Sequence, residues 1–222
     1  MGLEKKRGLM VALDQISFRD MYDFIIGTIA LSTGEDNIVY KIGNSSLTYL
    51  NKDELEILVE YGNIVLDLKM AEVKDYVKPV VDKYRDLEID GIITHGFIGK
   101  GAIEELVKQL EETNIDTIVV CDTSDTDSYY KDIVEEVAET AIEAGARGLV
   151  APANKIVSVE KVSKIIKQKN SSVYLCSPGL FNQGGSFEDI LELGVDYPIV
   201  GRKIGESENP IREVIECLDL LK

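Results

Sequence analysis

The sequence predicts a (β/α)8 barrel, and three observations support this fold. Eight short runs rich in Val and Ile alternate with longer amphipathic stretches along the 222 residues. Gly, Asn or Asp bounds the runs, which is typical of buried parallel strands. An open, doubly wound sheet has the same local pattern, but a count of eight favours closure. The predicted strands are Gly8–Asp14, Ile38–Gly43, Ile64–Lys69, Gly91–Gly96, Thr117–Asp122, Gly148–Ala153, Val173–Ser177 and Tyr197–Gly201.

Amphipathic segments between these runs predict the outer helices. Tyr129–Ala144, for example, places apolar residues such as Ile133 and Val137 among acidic ones, which gives a helix one apolar stripe. Pro210 stands where the last helix is expected to begin, a position at which its missing N–H costs little. No linker or low-complexity segment divides the chain, so we expect residues 1–222 to form one domain.

Composition and charge exclude several classes of function. The net charge of −16 argues against a nucleic-acid surface, which needs clustered Lys and Arg. Three scattered cysteines without a CxxC pair argue against a disulfide framework and against a zinc site. The N-terminal residues 1–7 contain no signal-peptide core, and no apolar segment approaches the ~18–20 residues of a membrane span. We therefore expect a cytoplasmic protein.

Polar side chains follow the predicted strands, at the end where barrel enzymes carry their chemistry. A single charge at a strand end is more often a satisfied rim residue than a catalyst. Several charges that converge on one mouth need a ligand or one another, and this favours a functional site. These residues are Asp14, Lys41, Asp67, Lys69, His95, Asp122, Asn154, Ser177 and Arg202.

The third strand carries the most informative charges. Asp67 and Lys69 are two residues apart and are therefore expected on the same face of a strand, toward the barrel mouth. Glu72 follows on the loop. A structural ion pair is one interpretation of Asp67 and Lys69. The other is catalysis, because a lysine held by carboxylates can deliver a proton where negative charge develops.

Two later segments predict a phosphate site. Gln183-Gly184-Gly185 follows the seventh strand and Gly201-Arg202 follows the eighth, and these two loops often bind phosphate in barrels. The glycines allow backbone N–H groups to approach an anion, and a helix is expected to begin near Ser186. Arg202 adds a planar, permanently charged donor. No P-loop, dinucleotide fingerprint or nucleophile elbow is present.

These motifs resemble those of the orotidine 5'-phosphate decarboxylases along nearly the whole chain. The family's Asp-x-Lys-x-x-Asp signature matches Asp67-x-Lys69-x-x-Glu72 except at its last position. The phosphate loops are similar as well. Further similar segments are Val11-Ala12-Leu13-Asp14, Tyr40-Lys41-Ile42-Gly43, Thr94-His95-Gly96-Phe97, Ser177 to Gly185, and Ile199-Val200-Gly201-Arg202.

The resemblance implies decarboxylation of orotidine 5'-phosphate to UMP, with Lys69 as the proton donor and Asp67, Glu72 and Lys41 as its catalytic partners. It implies substrate binding by Asp14, Ser124, Gln183, Gly184, Gly185, Gly201 and Arg202. Sugar-phosphate lyases of the same suprafamily use Mg2+ and carry an acidic ligand where this chain has Lys41. We therefore expect no metal and no cofactor. A sugar-phosphate lyase and a catalytically weak nucleotide-binding barrel are the alternatives.

The resemblance also implies a homodimer in which Glu72 reaches the partner's active site. Glu is one methylene longer than the family's Asp, and Tyr76 stands where relatives often have Thr. Activity retained by compensation, a slow decarboxylase and a shifted substrate are the three hypotheses, and the first is favoured because the other elements are present. We expect His95 to have a structural or supporting role, and the sequence assigns no role to Asn154 and Lys155.

Overall fold

The computed structural model describes residues 3, 7–14, 16–32 and 37–222. Eight parallel strands form a closed barrel in sequence order, and this confirms the predicted (β/α)8 fold and all eight strands. Several strands end a few residues from their predicted bounds. The expected absence of a signal peptide rests on residues 1–7, and most of these lie outside the described residues. The strands are β1 Leu9–Ala12, β2 Ile38–Gly43, β3 Asn63–Met70, β4 Gly91–His95, β5 Asp116–Val120, β6 Gly148–Val150, β7 Tyr174–Ser177 and β8 Tyr197–Val200.

Helices follow the strands and surround the barrel. Two of them, α2 (Asn44–Leu47) and α9 (Arg202–Gly205), are single turns just after β2 and β8. The predicted helix Tyr129–Ala144 is instead a 3-10 turn followed by α6 (Val134–Glu143), because Ile133 leaves the helical conformation at φ −129°. The helices are α1 Phe18–Leu31, α2 Asn44–Leu47, α3 Lys52–Tyr61, α4 Lys74–Asp82, α5 Lys100–Leu110, α6 Val134–Glu143, α7 Ile156–Gln168, α8 Phe187–Glu192, α9 Arg202–Gly205 and α10 Pro210–Asp219.

Local sequence sets several helix starts. The side chain of Asn51 accepts the N–H of Glu54, and Glu54 in turn accepts the N–H of Asn51, so α3 begins with a capping box. Ser186 caps α8 near its predicted start. Pro210 occupies the first turn of α10 as predicted.

The strands are buried on both faces, inside the barrel and beneath the helices. Every residue of β2 is buried, including Lys41 at 6% exposure. A buried ammonium requires a counter-charge, so the place of Lys41 in the core implies acidic neighbours. All three cysteines are buried and free. None of the helices in the described ranges is long and apolar enough to cross a membrane.

Candidate active site

A cavity of about 450 Å3 opens at the carboxyl ends of the strands, within the usual size range of small-molecule sites. The structure brings together here most of the residues predicted from the sequence. Asp14, Lys41, Asp67, Lys69, Ser124, Gln183, Gly201 and Arg202 all line the cavity. Apolar side chains form another part of the wall, namely Ile93, Val120, Val150 and Ile199.

Charges of alternating sign form a chain along one wall of the cavity. Nζ of Lys69 donates to Oδ2 of Asp67 at 2.6 Å, and Nζ of Lys41 lies 3.1 Å from the same oxygen. Lys41 also donates to both carboxylate oxygens of Asp14, at 3.3 and 3.4 Å. The order Asp14, Lys41, Asp67, Lys69 therefore places each inner charge between two charges of opposite sign.

Burial differs along this chain of charges. The side chains of Lys41 and Asp67 are 8% and 6% exposed, whereas those of Asp14 and Lys69 are about half exposed. Burial alone raises the pKa of Asp67, but the ammonium groups of Lys41 and Lys69 together hold that pKa below its ordinary value. Asp67 is therefore ionised at neutral pH. Its Oδ1 has no hydrogen-bond partner among the described residues.

A bulge in β3 helps to set the position of Lys69. The pairing with β4 runs regularly to Asp67 and Ile93, and then shifts so that Met70 pairs with Thr94. Lys69 itself has φ +40°, a left-handed conformation that is uncommon outside glycine. Asp67 and Lys69 are in contact, as the sequence predicts. The bulge, and not only the alternation of side chains along a regular strand, brings them together. A strained backbone at a charged residue is typical of functional sites.

The backbone of the loop after β7 packs closely against neighbouring segments. A Cβ added at Gly185 would lie 2.5 Å from Cβ of Ala153 and 2.6 Å from the carbonyl oxygen of Gly179, so only glycine fits there. Gly184 adopts φ +94°, which again favours glycine. These two glycines follow Gln183, which lines the cavity, but are not themselves part of its wall. Their N–H groups, expected from the sequence to face an anion, donate instead to carbonyl oxygens of the same loop.

Gln183 connects the β7 loop with the loop after β5, since its Nε2 donates to Oγ of Ser124 at 3.3 Å. On the other side, Arg202 begins α9 and is exposed. Its neighbour Lys203 pairs with Glu213 and lies over the ring of Phe181. Arg202 is therefore available to bind a ligand, whereas Lys203 is already paired with Glu213.

Glu72 lies apart from the cavity of its own chain. It is exposed on the loop between β3 and α4 and is absent from the cavity wall. Val73 and Tyr76 beside it are each 63% exposed. This arrangement leaves Glu72 free to act elsewhere than in the cavity of its own chain.

Sequence reasoning missed a hydrogen-bond network that begins in the cavity wall at Asp122. Asp122 accepts Nζ of Lys155 at 3.1 Å and Oγ of Ser158 at 2.7 Å. Nδ2 of Asn154 donates to the carbonyl oxygen of Ser124 at 2.9 Å. Asn154 and Lys155, which had no role from the sequence, thus hold the β5 loop in place. The polar strand ends Asp122 and Asn154 were the only available signal.

Among the described residues, no group of three or more His, Cys, Asp or Glu side chains is arranged to hold a metal ion. Next to Asp67, the neighbouring positive charges are the ammonium groups of Lys41 and Lys69. A divalent cation at this carboxylate would face repulsion from both lysines.

Comparison with known proteins agrees with the resemblance found in the sequence. The orotidine 5'-phosphate decarboxylase / HUMPS family matches residues 7–217. An orotidine 5'-phosphate decarboxylase of Methanococcoides burtonii is 32% identical over 219 residues, or 98% of each chain. One from Methanosarcina barkeri is 30% identical over 214 residues, covering 94% of this chain and 91% of the relative.

Solved structures show the same fold. A crystal structure of orotidine 5'-monophosphate decarboxylase from Methanocaldococcus jannaschii, complexed with the inhibitor BMP, has a TM-score of 0.85 at 23% identity. The match covers 98% of this chain and 99% of that one. Together with the sequence relatives, this confirms the resemblance: the chain belongs to the orotidine 5'-phosphate decarboxylase / HUMPS family.

Proposed function

We propose that this protein decarboxylates orotidine 5'-phosphate to UMP and CO2, the last step of de novo pyrimidine nucleotide synthesis. Family membership and relatives named for this activity support the proposal. The observation that carries it is the chain of alternating charges from Asp14 to Lys69 in a cavity also lined by Arg202. This charge pattern suits a reaction in which a carboxylate leaves and a proton arrives.

In the proposed reaction, the bond between C6 of the pyrimidine and its carboxylate breaks. The electron pair stays on C6, CO2 leaves, and the ammonium of Lys69 supplies the proton. Asp67 holds Lys69 at 2.6 Å and, being ionised, repels the substrate carboxylate before it leaves. That repulsion is relieved in the transition state, which is how an enzyme gains rate from binding energy.

The rest of the cavity would bind the nucleotide. Lys41 and Asp14 form a polar pair suited to the ribose hydroxyls. Arg202, the side chain of Gln183 and the backbone after β8 would hold the phosphate, supported by the barrel's recurrent use of these loops. Ser124, which is hydrogen-bonded to Gln183, would form a hydrogen bond with the polar edge of the pyrimidine.

The test follows the loss of orotate absorbance when the protein meets orotidine 5'-phosphate in the presence of EDTA. We expect turnover that Lys69→Ala reduces at least about 10²-fold, since the proton donor is removed. Lys164→Ala, on the exposed side of α7, is the matched control and should retain activity. Tight UMP binding without turnover would instead favour a nucleotide-binding barrel. Mg2+-dependent action on a sugar phosphate would favour the lyases.

The proposal includes a homodimer in which Glu72 completes the partner's site. The exposure of Glu72 outside its own cavity supports it, and so do the exposed apolar groups of Val73 and Tyr76 nearby. Glu72 would add a second carboxylate near Lys69 of the other chain. Residues 1–222 would then act as one catalytic domain in each subunit.

Mixing two inactive variants tests this arrangement. A heterodimer of Lys69→Ala and Glu72→Ala has one site with both residues intact and one with neither. An equal mixture, refolded or exchanged together, should recover about 25% of the unaltered activity by random assortment. No recovery, with heterodimers verified by mass spectrometry, would mean that Lys69 and Glu72 act within one chain. Full activity of Glu72→Ala by itself would mean that Glu72 has no role.

A further inference from the structure

His95 is the only histidine of the chain, and it lies in the cavity wall beside the charged strand. It follows Thr94, which pairs with Met70 directly after Lys69. Its ring stacks on Phe97, with the ring centroids 4.7 Å apart. Its Nδ1 lies 2.9 Å from the phenol oxygen of Tyr130. The catalytic proposal leaves this histidine without a role.

The surroundings of Tyr130 fix the direction of this hydrogen bond. The phenol oxygen accepts the N–H of Gly96 at 3.0 Å. Burial raises the pKa of Tyr130 to about 12, against the opposing effect of the amide groups of Phe97 and Gly96. The phenol therefore keeps its proton at neutral pH. Within the described part of the chain, Nδ1 of His95 is the acceptor in reach of that proton.

A neutral imidazole that accepts at Nδ1 carries its own proton on Nε2. Nε2 is on the side of the ring away from Nδ1, and therefore away from Tyr130. We propose that Tyr130 holds His95 as a neutral Nε2–H donor, and that this donor binds an oxygen atom of the substrate at the Lys69 end of the cavity. The identity of the substrate rests on the proposed function; the tautomer does not.

The charged groups around His95 favour the neutral ring. Burial lowers the pKa of His95, the nearby ammonium of Lys69 lowers it further, and only Asp67 acts in the opposite direction. The phenol of Tyr130 is the other titratable group in contact with the ring. Protonation would place hydrogen on Nδ1 and break its bond from Tyr130. A neutral His95 also adds no second cation beside Lys69.

Nitrogen-15 NMR tests the tautomer directly, because one histidine gives one set of ring signals. We expect Nε2 protonated and Nδ1 unprotonated in the unaltered protein at neutral pH. Tyr130→Phe should give a mixture of tautomers and a higher pKa for His95. A proton on Nδ1, or a charged ring at pH 7, would overturn the proposal. These outcomes do not depend on any enzymatic activity.

Two substitutions test the contact with the substrate. Gln can place an amide N–H near the position of Nε2, whereas Asn reaches only the position of Nδ1. We expect His95→Gln to stay within a few-fold of the unaltered kcat/KM and His95→Asn to lose about tenfold, the usual worth of one hydrogen bond. Equal loss in both variants, with unchanged folding by circular dichroism, would overturn the contact. Absence of turnover by the unaltered protein would count against the proposed function instead.

Discussion

Asp67→Asn removes the buried carboxylate that Lys41 and Lys69 share. At 3.1 Å, an ion pair such as Lys41–Asp67 has a Coulomb energy of about 5 kcal/mol at an effective dielectric constant of about 20. Breaking a buried pair typically costs about 3–5 kcal/mol. In the variant, Lys41 keeps Asp14 as a partner at 3.3 Å. Lys69 is about half exposed, so water partly compensates this ammonium for the loss of the Asp67 carboxylate. We therefore expect a decrease of about 3 kcal/mol in the free energy of unfolding.

The pH dependence of this decrease has a definite sign. The pKa of Asp67 is lower in the folded protein than in the unfolded chain, so its ionised form stabilises the fold. That contribution is fully present above the unfolded pKa of about 4 and is lost as the pH falls through the folded value. The difference between Asp67→Asn and the unaltered protein should therefore be constant near neutrality and should narrow below about pH 4.

Urea unfolding at a series of pH values measures both effects, with orotidine 5'-phosphate turnover followed in parallel. Asp86→Asn, an exposed change at the other end of the barrel, is the matched control. Turnover should fall at least about 10²-fold, because Lys69 loses the group that aims it. Equal stability of Asp67→Asn and the unaltered protein at pH 7 would refute the reasoning, as would a difference that widens in acid.

Two further substitutions test the loop after β7 and the amino-terminal end of the barrel. Gly185→Ala should raise KM about tenfold or more, because the added methyl group clashes with Ala153. The control Gly205→Ala has open space around the added methyl group and should leave KM unchanged. Equal KM values for the two variants would contradict the packing argument. Burial raises the pKa of Asp90 to about 6, so the unaltered protein loses stability as the pH rises from about 4 to 6. Asp90→Asn should abolish that loss and raise the free energy of unfolding by about 1–3 kcal/mol at pH 7, whereas the control Asp86→Asn should not. A less stable Asp90→Asn variant in urea unfolding would refute this reasoning.

The sequence predicts the barrel well because its signal is local and repeated. A short run of Val and Ile between turn residues specifies a buried strand whatever surrounds it, and β2 from Ile38 to Gly43 matches its predicted bounds. Strand ends are less certain, since the pairing with neighbours decides where a strand stops. Thus β6 ends at Val150 although the apolar run continues to Ala153.

The details of the site that the sequence did not predict depend on contacts between distant segments. The bulge that turns Lys69 toward Asp67 exists only in the pairing of β3 with β4. Tyr130 meets His95 across 35 residues, and Lys155 meets Asp122 across 33. No periodicity within a window of a dozen residues encodes such contacts, so the residue types could be identified but not their partners.

The cations of the cavity are distributed unevenly, although the protein has a net charge of −16. This distribution suits a ligand whose phosphate is attracted while its carboxylate is repelled. Lys41 and Lys69 are already held by Asp67, and Lys203 by Glu213, whereas Arg202 has no ion pair within the described ranges. A phosphate would therefore find its attraction at Arg202, while a carboxylate at the other end of the same molecule would meet the ionised Asp67. In the proposed reaction, attraction at the unreactive end would hold the reactive end against a repulsion that vanishes as CO2 leaves. The binding energy of the phosphate would then be used in the transition state.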